Sequence, residues 1–183
     1  FNGISEHSDV FMSNIEEPHY FNTDGLQGIS SLEEYEALFE VATSEHKIVG
    51  EASTHYLFSK VALKNVLDYA VDPKFLVCVR NPVDMAPSLH AERLWQGRET
   101  EKNFNAAWKL QEKRHQGLSI PRTSRRVPDL LQYGEYCKLG KQLERLLEVV
   151  KPEKLHVVVL DDLRQSPREQ YLKIMHFLEI EDD

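Results

Sequence analysis

Apolar runs of strand length alternate along the chain with stretches in which apolar residues recur at helical spacing. Three runs predict strands, at His46–Gly50, Lys74–Val79 and Leu155–Leu160. The second run is apolar on both faces, which is typical of a buried parallel strand. Helical spacing and helix-boundary residues predict helices at 31–42, 57–70, 82–94, 104–111, 139–150 and 171–178.

Strands that alternate with helices predict an α/β fold in which a parallel β-sheet is flanked by helices on both faces. The sequence shows no internal repeat, low-complexity segment or domain boundary, so residues 1–183 are predicted to form a single domain. In open α/β sheets, ligands bind outside the carboxyl ends of the strands. The residues that follow each strand are therefore the first candidates for a functional site.

Composition narrows the class of protein. Hydrophobic residues make up 41% of the 183 positions and charged residues 28%, which is typical of a globular domain. No apolar run approaches the roughly 18–20 residues of a membrane helix, so no membrane partner is expected. Two cysteines, Cys78 and Cys137, are too few for a disulfide framework. Cys78 is predicted to be a buried, inert thiol, and a reducing, cytoplasmic location is expected.

Charge is unevenly distributed in a chain whose net charge is −8. Residues 93–126 carry nine lysines and arginines but only three glutamates. This stretch is either a solvated helix and loop or a surface that attracts an anionic ligand. Nucleic acid is not an expected partner, because the net charge is negative and aromatic residues do not alternate with the basic ones. The eight histidines show no metal-ligand spacing, so no metal site is predicted.

The junction after the second strand has the composition of a phosphate site. Asn81 suits the cap of the following helix and Pro82 its first position. Arg80 would add a planar guanidinium to an anion-binding helix N-terminus, and Ser88 lies about two turns further on. The alternative is an arginine that only forms a salt bridge or caps the helix. Pro87 is expected either to kink the helix or to start a new one.

The run Arg80–Ser88 resembles the 3′-phosphate-binding motif of sulfotransferases that use 3′-phosphoadenosine 5′-phosphosulfate (PAPS). Segments Phe11–Phe21, Gly50–Leu57 and Leu155–Leu178 are similar, in the same order, to other parts of bacterial and heparan-type members. The resemblance implies a P-loop NTPase-like sulfotransferase fold and a 3′-phosphate held by Arg80 and Ser88. It also implies PAPS as the sulfonate donor, a hydroxyl or amine of a small-molecule or carbohydrate acceptor, and no metal.

The chain departs from the family in three respects. Neither the family's first strand with its lysine-bearing P-loop-like turn nor its C-terminal nucleotide-covering segment is recognisable. We expect both to lie outside this chain; the alternative is a catalytically inactive nucleotide-binding or scaffold protein with the same fold. Ala52 and Thr54 also replace a lysine and a proline of heparan-type relatives.

Sulfonate transfer needs a base for the acceptor proton. The resemblance implies that Glu17 is this base, because it matches the family glutamate within Glu17–Phe21. His19 is the second candidate, since an unperturbed histidine titrates near pH 6.5. Glu51 follows a strand and is a third candidate, or it holds the loop by hydrogen bonding. Without the resemblance, Glu17 would be interpreted as a solvated carboxylate.

Overall fold

The computed structural model describes residues 2–182, without the side chain of Asn2, and divides them into two compact units. The first unit comprises residues up to Cys78 and from Leu146, and the second comprises Val79–Arg145. The strands are β1 (Val10–Met12), β2 (Ile48–Gly50), β3 (Phe75–Val79) and β4 (Leu155–Val159). The helices are α1 (Asn2–Ser5), α2 (Leu32–Ala37), α3 (Ala62–Tyr69), α4 (Pro82–Trp95), α5 (Phe104–Lys109), α6 (Gln111–His115), α7 (Tyr133–Tyr136), α8 (Leu139–Leu147), α9 (Leu160–Gln165) and α10 (Pro167–Leu178), with short 3₁₀ turns at Arg122–Ser124, Pro128–Leu131 and Pro152–Lys154.

The four strands of the first unit form two pairs. Strand β1 runs parallel to β2, with Val10 opposite Ile48 and Met12 opposite Gly50, and β3 pairs with β4. The predicted α/β class is confirmed. Within residues 2–182 the strands make two small sheets, where the sequence pattern indicated one sheet. Strand β1 was not predicted, because three residues are too few to show an alternating pattern.

The core of the first unit lies between the strands and the last helix. Val10 of β1 and Val158 of β4 are buried with Met175 on the apolar face of α10. The partly buried Leu76 of β3 packs against the same cluster. Cys78 lies two residues further on, beyond these core contacts, and is exposed. The prediction that Cys78 is buried is therefore wrong.

Local side-chain chemistry sets the start of two helices in this unit. The Ser31 hydroxyl accepts a hydrogen bond from the Glu34 amide, which confirms the predicted N-cap of α2. Helix α3 begins at Ala62, five residues later than predicted. The delay follows from Ser59, whose hydroxyl donates to Asp24 and accepts from the Ala62 amide, so the chain before Ala62 is held in a turn.

The second unit is helical and is built around a buried ion pair. Nη2 of Arg114 donates to Oε1 of Glu99 at 2.8 Å, Nη1 lies 2.7 Å from Oε2 as an ion pair, and both side chains are almost fully buried. The Tyr133 hydroxyl also donates to Glu99, at 2.8 Å. Burial acts to raise the pKa of Glu99, but these hydrogen bonds and those from two backbone amides lower it overall. The carboxylate therefore stays ionised inside the unit.

No helix among the described residues is both long enough and apolar enough to span a membrane.

We expect Glu99→Ala to destabilise the protein by about 3–5 kcal/mol, because the buried Arg114 would lose its compensating charge. Urea denaturation followed by circular dichroism measures this loss. The matched control is Glu112→Ala, in which an exposed glutamate of the same unit is removed; its stability should change by no more than about 0.5 kcal/mol. Equal stabilities of the two variants would show that the ion pair does not stabilise the unit.

Candidate active site

The segments that follow β1 and β2 remain hydrogen-bonded to each other after the strands end. The Ser13 amide donates to the Gly50 carbonyl at 2.9 Å, and the Glu17 amide donates to the Ala52 carbonyl at 3.2 Å. Because β1 and β2 are parallel, both segments leave from the same edge of their sheet. Glu17 therefore lies beyond the carboxyl edge of this two-stranded sheet.

Beyond Glu17, the backbone amides of the first segment donate to side-chain oxygens of the second segment instead of to its carbonyl groups. The His19 amide donates to Oγ of Ser53 at 3.0 Å, and the Phe21 amide donates to the Tyr56 hydroxyl at 3.2 Å. Phe21 is buried in an aromatic cluster with Tyr35. This cluster anchors the far end of the segment and leaves residues 17–19 as a tight turn between two fixed points.

The turn is strained, and the strain brings two side chains together. Glu17 and His19 have φ values of 52° and 49°, in the left-handed region that residues other than glycine rarely adopt. Glu17 also precedes Pro18, and a following proline favours extended backbone. Each such residue costs about 1–3 kcal/mol and persists only where its surroundings hold it. Here Nε2 of His19 lies 3.1 Å from Oε2 of Glu17.

Hydrogen bonds keep the Glu17 carboxyl group ionised. The bond from His19 lowers its pKa most, burial partly opposes this, and the Thr54 hydroxyl lowers the pKa further by donating to Oε1 at 2.6 Å. The pKa of Glu17 is about 2, compared with an ordinary value of 4.5. A carboxylate is only an acceptor, so Nε2 of His19 carries the proton of their shared hydrogen bond.

The side chains of Glu17 and His19 differ in how much of each is exposed to solvent. The Glu17 side chain is 44% exposed, whereas that of His19 is 6% exposed. The His19 ring packs against His55, with ring centroids 4.8 Å apart, and its Nδ1 is buried with no hydrogen-bond partner among the described residues. A molecule that approaches from outside can therefore contact the Glu17 carboxylate but not the imidazole.

Three residues of the neighbouring segment complete the site, and the sequence did not assign these contacts. Thr54 donates to Glu17, and Ser53 accepts from the His19 amide. The Ser53 hydroxyl donates in turn to Oε2 of Glu51 at 2.8 Å. Glu51 is largely buried, and burial raises its pKa. The sequence signals for these roles were the position of residues 51–54 directly after a strand and the family resemblance of Gly50–Leu57. One of the two interpretations of Glu51, that it holds the loop by hydrogen bonding, agrees with its bond from Ser53.

Gly28 closes the other side of the turn. The Gly28 amide donates to the His19 carbonyl at 3.4 Å, and the Ile29 amide donates to the Pro18 carbonyl at 2.9 Å. A Cβ atom at position 28 would lie 2.5 Å from the Pro18 carbonyl oxygen. Only glycine fits this close approach.

Arg80 and Ser88 meet within the second unit. Nη1 of Arg80 donates to Oγ of Ser88 and Nη2 donates to the Asp84 carbonyl, each at 3.3 Å. Nε of Arg80 is buried without a hydrogen-bond partner in the described part of the chain. The guanidinium thus has long, weak hydrogen bonds and unused donor capacity, so it can turn toward an anion. Its positive charge also partly opposes the rise that burial causes in the pKa of the Cys137 thiol.

Helix α4 starts as its sequence predicts. The Asn81 side chain accepts from the Val83 amide at 2.9 Å, and Pro82 occupies the first turn. Helix α4 nevertheless runs from Pro82 to Trp95 with Pro87 inside it, so Pro87 neither ends the helix nor starts a new one. Ser88 therefore lies on the same continuous helix that begins beside Arg80.

The basic stretch 93–126 separates into structural and exposed arginines. Arg93 and Arg114 are buried in the second unit, and Arg114 is neutralised by Glu99. Arg122, Arg125 and Arg126 are exposed. Across residues 2–182, no group of three or more His, Cys, Asp or Glu side chains is placed to hold a metal ion.

Comparison with known proteins gives a family match and a number of solved structures of similar fold, among them two sulfotransferase structures. The family model of the sulfotransferase domain matches residues 3–183. The crystal structure of a sulfotransferase from Alicyclobacillus acidocaldarius is 24% identical, with a TM-score of 0.84 over 97% of this chain and 74% of that chain. A sulfotransferase domain from the curacin biosynthetic pathway is 16% identical, with a TM-score of 0.53 over 82% of this chain and 44% of that chain.

At these identities the two structures establish similarity of fold. No curated protein matches the sequence.

We expect Gly28→Ala to destabilise the protein by about 1–3 kcal/mol, because the added methyl group would push the backbone at Pro18 out of place. Chemical denaturation gives the difference. Gly25→Ala is the matched control, since a Cβ atom at Gly25 meets nothing within 4 Å. Equal denaturation midpoints for the two alanine variants would contradict the close approach at Pro18.

Proposed function

This chain belongs to the sulfotransferase family, and on that basis we propose that it transfers a sulfonate group from PAPS to a hydroxyl or amine of a small-molecule or carbohydrate acceptor. Membership of the family makes it a transferase enzyme. The observation that carries the mechanism is the Glu17–His19 pair, in which an accessible carboxylate is held by a buried imidazole.

We assign the 3′-phosphate of the nucleotide to Arg80 and Ser88. The residues fit such a group, because the guanidinium has a buried Nε without a partner in residues 2–182 and two long hydrogen bonds that a phosphate can replace. The first-turn amides of α4 add donors and a partial positive charge beside Arg80. A guanidinium that meets two phosphate oxygens forms a bidentate, charge-assisted contact.

Glu17 is assigned as the group that contacts the acceptor proton. When bound, the nucleotide supplies an activated sulfonate, so the sulfur–oxygen bond to the leaving phosphate breaks as the bond to the acceptor forms. The acceptor proton passes to the Glu17 carboxylate, and the electron pair of the broken bond stays on the phosphate. Exposure of Glu17 lets the carboxylate reach the acceptor and afterwards release the proton to water.

His19 is assigned to orient Glu17. Its Nε2–H donates to Oε2 while the Thr54 hydroxyl donates to Oε1, so both carboxylate oxygens are held in direction. This arrangement reverses the usual order in which a carboxylate orients a histidine base. The difference in exposure supports it, since the buried His19 ring is out of reach of an acceptor.

The absence of a disulfide supports the cytoplasmic location that we also propose, since both cysteines are free thiols.

We expect Arg80→Ala to weaken binding of adenosine 3′,5′-bisphosphate about ten- to a hundredfold, the cost of losing a charged hydrogen bond of roughly 1.5–3 kcal/mol. Isothermal titration calorimetry on the full-length protein measures the affinity. Adenosine 5′-phosphosulfate has no 3′-phosphate and should bind parent and variant about equally. Arg164→Ala removes an exposed arginine of the first unit and should leave both affinities unchanged. Unchanged affinity in a folded Arg80→Ala protein would overturn the assignment.

We expect Glu17→Gln to reduce turnover of labelled PAPS by about 10²–10⁴-fold, because the amide keeps the shape of the side chain but not its basicity. Turnover is measured in the presence of a panel of hydroxyl and amine acceptors. Affinity for adenosine 3′,5′-bisphosphate should not change, and His19→Ala should cost less than Glu17→Gln.

Near-parental turnover by Glu17→Gln together with an inactive His19→Ala protein would reverse the two roles. Parental turnover by both variants would move the base to another residue, with Glu51 the next to test. Tight nucleotide binding by the parent with no turnover on any acceptor would instead support the nucleotide-binding or scaffold alternative.

A further inference from the structure

The strained turn at residues 17–19 is held from outside by the amides of Gly28 and Ile29 on one side and by Ser53 on the other. Oγ of Ser53 accepts the His19 amide hydrogen at 3.0 Å, within a turn whose two flanking residues are both left-handed. A hydroxyl group has a single hydrogen and can point in several directions. Its lone pairs face His19 only if its own hydrogen is directed elsewhere.

Glu51 directs that hydrogen. The Ser53 hydroxyl donates to Oε2 of Glu51 at 2.8 Å, which turns the oxygen lone pairs toward the His19 amide. The other carboxylate oxygen, Oε1, is buried without a hydrogen-bond partner of ordinary geometry among the described residues, and the Tyr56 hydroxyl also interacts with this carboxyl group and acts to lower its pKa. Burying a carboxylate in this way is unfavourable. The buried position of Glu51 allows its carboxylate to accept the Ser53 hydrogen, and we take this contact as the reason for the unfavourable burial.

The hydrogen bonds of the His19 backbone and of the His19 side chain depend on each other. The amide of His19 is held by Ser53, and the ring of the same residue is the main hydrogen-bond donor to Glu17. A shift of the His19 backbone would carry its ring away from the Glu17 carboxylate. Contact between these two side chains therefore depends on the Ser53 hydroxyl.

We propose that Ser53 and Glu51 are positioning residues, which act through the His19 backbone to hold the Glu17 carboxylate in its working geometry. This inference deepens the proposed function, because it takes Glu17 as the base. Neither residue contacts the reacting atoms. Their effect is transmitted along one chain of hydrogen bonds, from Glu51 to Ser53, to His19 and to Glu17.

The pKa of Glu17 reports the geometry without any need for an acceptor. It is measured by ¹³C NMR of carboxyl-labelled glutamate between about pH 3.5 and 7, with the Glu17 signal assigned by its loss in Glu17→Gln. In the parent, whose Glu17 titrates near 2, the signal should stay constant across this range. In Ser53→Ala the contact with His19 loosens, and the pKa should rise toward its ordinary value of 4.5, so that the signal titrates within the range.

Conservative variants separate positioning from general packing. Ser53→Thr keeps a hydroxyl and should behave like the parent, and Glu51→Gln keeps an oxygen that can accept from Ser53 and should do the same. Glu51→Ala removes the acceptor and should behave like Ser53→Ala. Backbone amide spectra of each variant verify that it is folded.

In turnover assays, we expect Ser53→Ala to lose about a hundredfold in kcat, the scale of a misplaced catalytic group, with unchanged KM for PAPS. A Glu17 signal that stays constant in a folded Ser53→Ala protein would overturn the positioning role. A Glu17 pKa that rises in Ser53→Ala while Glu17→Gln keeps full turnover would uphold the hydrogen-bond chain but refute Glu17 as the base. The two proposals therefore fail by different results.

Discussion

The candidate base depends on hydrogen bonds that continue past the ends of two parallel strands. Regular pairing of β1 with β2 lasts for only three residues, yet the following segments remain joined from Ser13 to Phe21. Carbonyl acceptors hold the first part and side-chain oxygens hold the second. This change of acceptor leaves the backbone free to enter the left-handed region at Glu17 and His19, which a regular strand would forbid.

The consequences of this turn are mainly electrostatic. A glutamate in an ordinary loop would be solvated and would titrate near its usual pKa. Here the His19 ring and the Thr54 hydroxyl both donate to one carboxylate, so Glu17 remains ionised and fixed in direction while nearly half of its side chain is exposed. A positioned base needs geometry before it needs proton affinity. The Thr54 hydroxyl therefore contributes one of the hydrogen bonds that orient the candidate base.

The two residues that we propose to bind the 3′-phosphate are brought together in the second unit by local helix geometry. Arg80 and Ser88 are eight residues apart in the sequence, and a continuous helix brings them to hydrogen-bond distance without any long-range contact. Elsewhere in the unit, a buried ion pair between Arg114 and Glu99 joins segments that are 15 residues apart. Two of the nine basic residues that made 93–126 resemble an anion-binding surface, Arg93 and Arg114, are thus buried inside the unit. The exposed arginines at 122, 125 and 126 account for part of the remaining basic character.

The sequence by itself determined the α/β class from the alternation of strand and helix patterns, and the sulfotransferase resemblance from four segments in the same order. It also indicated the Arg80–Ser88 junction, because that junction depends on spacing within one short stretch. The cap at Ser31 and the start of α4 at Pro82 likewise depend only on residues that are close together in the sequence. Only the tertiary structure decided that Cys78 is exposed and that α3 begins at Ala62. It also decided that Thr54 and His19 contact the Glu17 carboxylate and that Ser53 holds His19. These contacts join residues more than 30 positions apart or depend on a strained backbone. Periodicity reports which face of an element is buried, but it carries no information about which distant donor will meet a given acceptor.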